Sequence, residues 1–166
     1  MYNTNNVKEI RNAIKVGNVE KVRQLIDTDK EILNLMTPFG TWLHVAASHG
    51  NLEIVKYLID SGLDVNIKGG TFKASAINRA ASEGHQEIVK YLIDCGAELD
   101  VSEPDRNPLF AAIYGGHKEI AQLLIDHGID IGVSYTGENM TNMDAYAFAI
   151  ERGQKDIAEL LKANQV

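Results

Sequence analysis

The chain has 166 residues, 45% of them hydrophobic and 23% charged, which is the composition of a single globular domain. Its net charge of −7 argues against nucleic acid as a partner, and its single Cys95 excludes an internal disulfide. No apolar run reaches the roughly 18 residues that span a bilayer, and the opening MYNTNNVKEIRNAIK lacks the apolar core of a signal peptide, so a cytoplasmic protein without membrane contact is expected.

The first segment, 7–34, interleaves Lys8, Glu9, Arg11 and Lys15 with Ile10, Ala13 and Ile14, which predicts a helix with one polar face. A second helix follows around EKVRQLID at 20–27. The same pair then recurs along the chain. TWLHVAASHG (41–50) precedes EIVKYLID (53–60), and SAINRAASEG (75–84) precedes an identical EIVKYLID (87–94). NPLFAAIYGG (107–116) precedes EIAQLLID (119–126), and DAYAFAIERG (144–153) precedes DIAELLKA (156–163). The five copies of the second helix start 33, 34, 32 and 37 residues apart, a period that indicates stacked units sharing one core.

Local chemistry supports each helix. Ile54, Val55, Leu58 and Ile59 fall on one face at 3.6 residues per turn, while Lys56 and Asp60 fall on the other. Gly62, Gly96 and Gly128 follow at the position where a left-handed residue ends a helix. Thr41, Ser75, Asn107 and Asp144 share one register and are good N-caps, and Pro108 sits where a missing N–H costs nothing. Paired alanines (Ala46-Ala47, Ala80-Ala81, Ala111-Ala112) make a thin helix surface that lets neighbouring units approach. The first and last units carry polar outer positions, as caps do, so a complete array is expected.

The stretch TWLHVAASHGNLEIVKYLIDSGLDVN at 41–66 resembles the ankyrin repeat. The resemblance extends over units 7–34, 35–68, 69–101, 102–138 and 139–163. It implies one domain, 1–166, an all-α solenoid of about five helix-turn-helix units with hairpin-like turns between them. The third unit departs from the family opening and reads Ser75-Ala76-Ile77-Asn78. The fifth is introduced by an insertion, VSYTGENMTNM at 133–143.

No catalytic constellation stands out. There is no phosphate-cradling glycine loop and no Cys or His spacing for a metal, so neither cofactor nor metal is expected. His44 occupies the family's T-P-L-H histidine and is read as a backbone hydrogen-bonding group; His85 and His117 fill a repeat position. Cys95 shares its slot with Ser61 and His127, three dissimilar residues, which argues for a tolerant surface site. The chain is read as not an enzyme.

Resemblance to ankyrin arrays implies protein binding through turn tips and inner helices, which form a concave face. By register that face comprises Phe39, Trp42, Phe72, Lys73, Arg79, Glu83, Glu103, Arg106, Tyr114, Glu138, Met140, Met143 and Glu151. The competing reading tucks Phe39, Phe72 and Met143 under their own turns. Tyr146, at the position of Leu43 and Leu109, reads as core.

Charge is uneven: residues 1–83 carry 10 basic and 9 acidic side chains, residues 84–166 carry 6 and 14. A partner presenting a basic surface to units three to five is expected. The stretches 101–121 and 135–154 also resemble small stand-alone bacterial ankyrin proteins encoded beside polymorphic toxins. That resemblance implies an immunity protein that binds and blocks a toxin domain; the acidic charge would suit a basic toxin such as a nuclease, and a monomer is expected when free. The alternative is a general adaptor or scaffold for a cellular protein.

Overall fold

The computed structural model describes residues 3–165. Among these the chain forms ten α-helices, arranged as five pairs. They are α1 (Thr4–Lys15), α2 (Val19–Thr28), α3 (Trp42–His49), α4 (Leu52–Asp60), α5 (Ala76–Glu83), α6 (Gln86–Asp94), α7 (Pro108–Gly115), α8 (Lys118–Asp126), α9 (Ala145–Glu151) and α10 (Lys155–Asn164). The first helices of successive pairs touch in the order α1, α3, α5, α7, α9. The second helices form a parallel row, α2, α4, α6, α8, α10. Each pair therefore contacts only its neighbours, the arrangement of a solenoid.

The helices start where the sequence says they should. Asn107 Oδ1 accepts the Leu109 N–H at 2.9 Å and Asp144 Oδ1 accepts the Ala147 N–H at 2.8 Å. Thr41 and Ser75 hold the extended N-cap conformation at the same register. Gly50, at φ 80°, and Gly84, at φ 85°, close α3 and α5 in the left-handed region. Each also makes room: a Cβ on Gly50 would collide with the His85 ring, and one on Gly84 with the His117 ring. Those two rings are inter-unit fasteners. His85 Nε2–H donates to Ser48 O and His117 Nε2–H to Ser82 O, both at 3.0 Å.

The core is one continuous strip between the two rows. Ala46, Ala47, Ala80, Ala81 and Ala112 are fully buried, so the thin surface of α3, α5 and α7 does allow close stacking. Ile54, Val55 and Leu58 of α4 and their counterparts Ile88, Val89 and Leu92 of α6 fill the space behind them. Each such side chain contributes about 1.5–3 kcal/mol by leaving water.

Turn tips project from one side of the stack. Thr37 and Gly40 exchange backbone hydrogen bonds at 3.0 and 2.9 Å, and Gly69 N–H donates to Ala74 O at 3.0 Å. The third tip is a 3₁₀ turn at Pro104–Arg106.

The expectation of an all-α chain needs one correction. The insertion before the fifth unit forms a two-stranded antiparallel hairpin, β1 (Tyr135–Gly137) and β2 (Met140–Met143). Tyr135 pairs with Met143, and Thr136 Oγ1 accepts the Asn142 N–H at 3.0 Å. The hairpin is held by tertiary contacts. Tyr135 O–H donates to Val101 O at 2.8 Å and accepts from Asn107 Nδ2 at 3.0 Å. Its ring meets Phe110 edge-on, with centroids 5.1 Å apart, while Phe110 stacks on Phe148 at 4.8 Å. This aromatic ladder joins the fourth unit to the fifth.

Candidate protein-binding surface

The first helices present a grooved face beside the turn tips. Two hollows lie along it. One, about 170 Å³, is lined by Arg11 and Lys15 of α1, Phe39 of the first tip, Val45, Ser48 and His49 of α3, and Arg79 of α5. The other, about 460 Å³, is lined by Phe72, Arg79 and Ser82, by Phe110, Ala111 and Tyr114 of α7, and by Met140, Phe148 and Arg152. Arg79 is common to both, so it sits at the middle of the face.

Phe39, Phe72 and Tyr114 are 58, 54 and 60% exposed on this face. The competing reading, in which Phe39 and Phe72 fold under their own turns, is therefore set aside. Their positions have local causes. Phe39 stands at the apex of the Thr37–Gly40 turn, and its ring carries the Arg11 guanidinium at 4.9 Å. Phe72 and the exposed Lys73, at φ 50°, form the tip of the next turn. Tyr114 lies near the end of α7 with the Arg152 guanidinium 4.5 Å above its ring.

Trp42 does not belong to the face. It is fully buried, and its Nε1–H donates to Ile32 O at 2.7 Å. The residue begins α3 and points back into the first unit. Its counterparts Ala76, Pro108 and Ala145 are buried too. Met143 also turns inward: it is half-buried against the core beside Tyr135. Met140, its neighbour on β2, lines the larger hollow. Tyr146 is half-buried and packs on the core.

The acidic candidates occupy the rim. Glu83 and Glu151 are exposed at the ends of α5 and α9, Glu103 is exposed before the 3₁₀ turn, and Glu138 is exposed in the hairpin turn. None of these four lines either hollow. Arg106 is half-buried and joins Lys73 around a third hollow, between the tips, of about 530 Å³.

Several lining residues were not singled out from the sequence: Arg11, Lys15, His49, Phe148 and Arg152. A signal for them exists. Val45, Arg79, Ala111 and Phe148 are the fifth residue of the ten-residue inner-helix segments that begin at 41, 75, 107 and 144. Eighth and ninth positions supply Ser48, His49, Ser82, Tyr114 and Arg152. These positions share a helix face at i, i+3 and i+4, and they vary, whereas the sixth position is alanine in all four segments.

The titratable groups serve the scaffold. The Thr41 N–H donates to His44 Nδ1 at 3.1 Å, so the proton resides on Nε2, which donates to Ala74 O at 2.9 Å. Burial lowers the His44 pKa from its ordinary 6.5, outweighing the hydrogen bond to Ala74, and the nearby Arg79 charge acts in the same direction as burial. Asp100 is pulled the other way. Burial alone would raise it, but hydrogen bonds from Ser102 and Lys68 bring it down from 3.8 to about 2. Lys68 Nζ lies 2.9 Å from its carboxylate. Burial raises the Tyr135 phenol above its ordinary value. Among the described residues no group of three or more His, Cys, Asp or Glu could hold a metal, and no helix is long and apolar enough to cross a membrane.

The family model for ankyrin repeats (3 copies) matches residues 10–103 and again 77–166. The chain belongs to the ankyrin repeat family. Its curated relatives agree. An ankyrin repeat protein of fowlpox virus (strain NVSL) is 36% identical over 70 residues, covering 42% of this chain and 10% of that protein. The palmitoyltransferase akr1 of Emericella nidulans is 39% identical over 64 residues, covering 38% of this chain and 9% of the enzyme. Alpha-latrocrustotoxin-Lt1a of Latrodectus tredecimguttatus is 40% identical over 58 residues, covering 34% of this chain and 4% of the toxin. The aligned stretches thus span a tenth or less of each of these relatives. Ankyrin repeats form a non-catalytic interaction fold, and the chain is a protein–protein interaction module.

Proposed function

We propose that this module is a cytoplasmic inhibitor of the immunity type, which captures a toxin domain on its grooved face and blocks it. The observation that carries a binding role is the row of exposed aromatic rings. A protein rarely exposes Phe39, Phe72 and Tyr114 along one groove without a partner to cover them. Tyr and Arg are also enriched in interface cores. The immunity reading adds the likeness of 101–121 and 135–154 to stand-alone bacterial ankyrin proteins. Those stretches hold the Phe110, Tyr114, Tyr135 and Met140 side chains that shape the larger hollow and its hairpin wall.

Charge refines the expected partner. Acidic side chains of the second half, Glu103, Glu138 and Glu151, stand on the rim together with Glu83 of the first, whereas the floor carries arginines. A basic surface would meet the rim and leave the floor for other chemistry. The free chain is monomeric in this account.

Calorimetric titration with a catalytically inactive form of a toxin encoded beside this chain tests the proposal. One-to-one binding with Kd of about 1 nM or tighter, with neutralisation of the active form, is expected. Weak binding to that toxin and stable capture of an unrelated cellular protein would replace inhibition by an adaptor role.

A further inference from the structure

The groove floor has a charge opposite to that of the whole chain. Arg11, Lys15, Arg79 and Arg152 line it, and none forms an ion pair with a carboxylate among the described residues. Asp105 is the one carboxylate among the residues lining either hollow, and no ion pair engages it. Arg79 is half-buried between the two hollows, and no ion pair engages it among the described residues. The Arg11 Nε is buried without a partner. Two of these cations sit over aromatic rings, Arg11 over Phe39 at 4.9 Å and Arg152 over Tyr114 at 4.5 Å. A cation–π contact of this kind does not consume the guanidinium N–H groups as hydrogen-bond donors to oxygen.

We infer that the groove floor recognises an acidic segment of the partner, an extended stretch in which Asp or Glu carboxylates alternate with apolar or aromatic side chains. The inference rests on the reading of the chain as a protein-binding module and specifies what that module binds. Guanidinium groups without a carboxylate partner are matched by carboxylates, which accept two parallel hydrogen bonds from one Arg. Between the arginines, Phe72, Phe110, Ala111, Met140 and Phe148 offer apolar surface for the intervening side chains. A nucleic acid fits less well. Its charge is continuous, and the exposed carboxylates Glu83, Glu103, Glu138 and Glu151, with the chain's net charge of −7, repel it. A short acidic segment sits within the floor and leaves the rim to the rest of the partner.

The test uses the full chain and a display library of random dodecapeptides. Recovered peptides are synthesised and their binding is measured by fluorescence anisotropy. Enrichment in Asp and Glu is expected, and replacing those residues by Asn and Gln should weaken binding about tenfold or more. Arg79→Gln and Arg152→Gln should each weaken the acidic peptide by a similar factor, and Arg79→Lys should weaken it less than Arg79→Gln. Arg152 is exposed, so its variant keeps the test valid if an Arg79 variant misfolds by circular dichroism. Recovered peptides without acidic enrichment, lost on Tyr114→Ala but indifferent to both Arg→Gln changes, would overturn the inference and leave the binding module standing. Failure to recover any peptide sensitive to the groove variants would overturn the inference and the groove's role together.

Discussion

Replacing Trp42 by phenylalanine separates scaffold from surface. The indole is fully buried, and its Nε1–H donates to Ile32 O at 2.7 Å. Ile32 O also accepts the Leu35 N–H at 3.2 Å, so the carbonyl keeps one partner in the variant. The lost hydrogen bond then costs about 1–2 kcal/mol, toward the lower end for a buried group. The smaller ring leaves a cavity where the first unit meets α3, which costs about 1–2 kcal/mol more. Together the loss is about 2–4 kcal/mol, which lowers the Tm of a domain of this size by about 4–16 °C. Thermal unfolding followed by far-ultraviolet circular dichroism measures it without relying on the removed fluorophore. Partner affinity of the folded variant should stay within about twofold, because the ring does not reach the groove. An unchanged Tm together with a large loss of affinity would return Trp42 to the binding face and refute the reasoning.

Other residues give independent checks. Tyr135→Phe should destabilise by about 1–2 kcal/mol in urea, since the hydroxyl links Val101 O and Asn107 Nδ2. His44 has a lowered pKa, so the unfolded chain takes up its proton first. Its contribution is therefore complete above pH 6.5 and erodes as the pH falls below that, a slope that His44→Gln should reduce. Asp100 has a depressed pKa, so its stabilisation is present above 3.8 and is lost as pH falls toward about 2. The carboxyl resonance should titrate near that lower value, and a midpoint at the ordinary value would remove the Lys68 and Ser102 contacts from the account. Charge reversal of Glu103 and Glu138 should slow association with a basic partner and reduce its salt dependence. An unchanged on-rate would count against the rim as a steering surface.

Much of the architecture was readable because its causes are local. N-caps, helix-ending glycines and apolar faces lie within each segment, and the period exposes their repetition. The hairpin was not readable in that way. Its strands are short, and they are fixed by Tyr135 reaching Val101, 34 residues away, and by the Phe110 ring. Trp42 was misplaced because the register was not resolved to the single position within the inner helix. An aromatic residue suggests an interface, yet the same slot holds Ala76, Pro108 and Ala145, all buried. Charge counted along the chain did not reveal the cationic floor. The halves differ in linear sequence, but the fold mixes them, placing Arg11 and Lys15 from the first unit and Arg152 from the last on one face. Which side chain faces the groove depends on helix rotation, and the fifth, eighth and ninth positions of each inner segment carry that information once the register is known.

The most direct test of the account compares two triple variants in calorimetric titration with the captured partner. Phe39, Phe72 and Tyr114 become alanine in one, and Glu53, Lys90 and Lys118, exposed on the second helices, in the other. The account predicts that the first loses about hundredfold or more in affinity while both remain folded, and that the second stays within about threefold. Full affinity in the first variant and loss in the second would place recognition on the opposite side of the molecule and contradict the central claim.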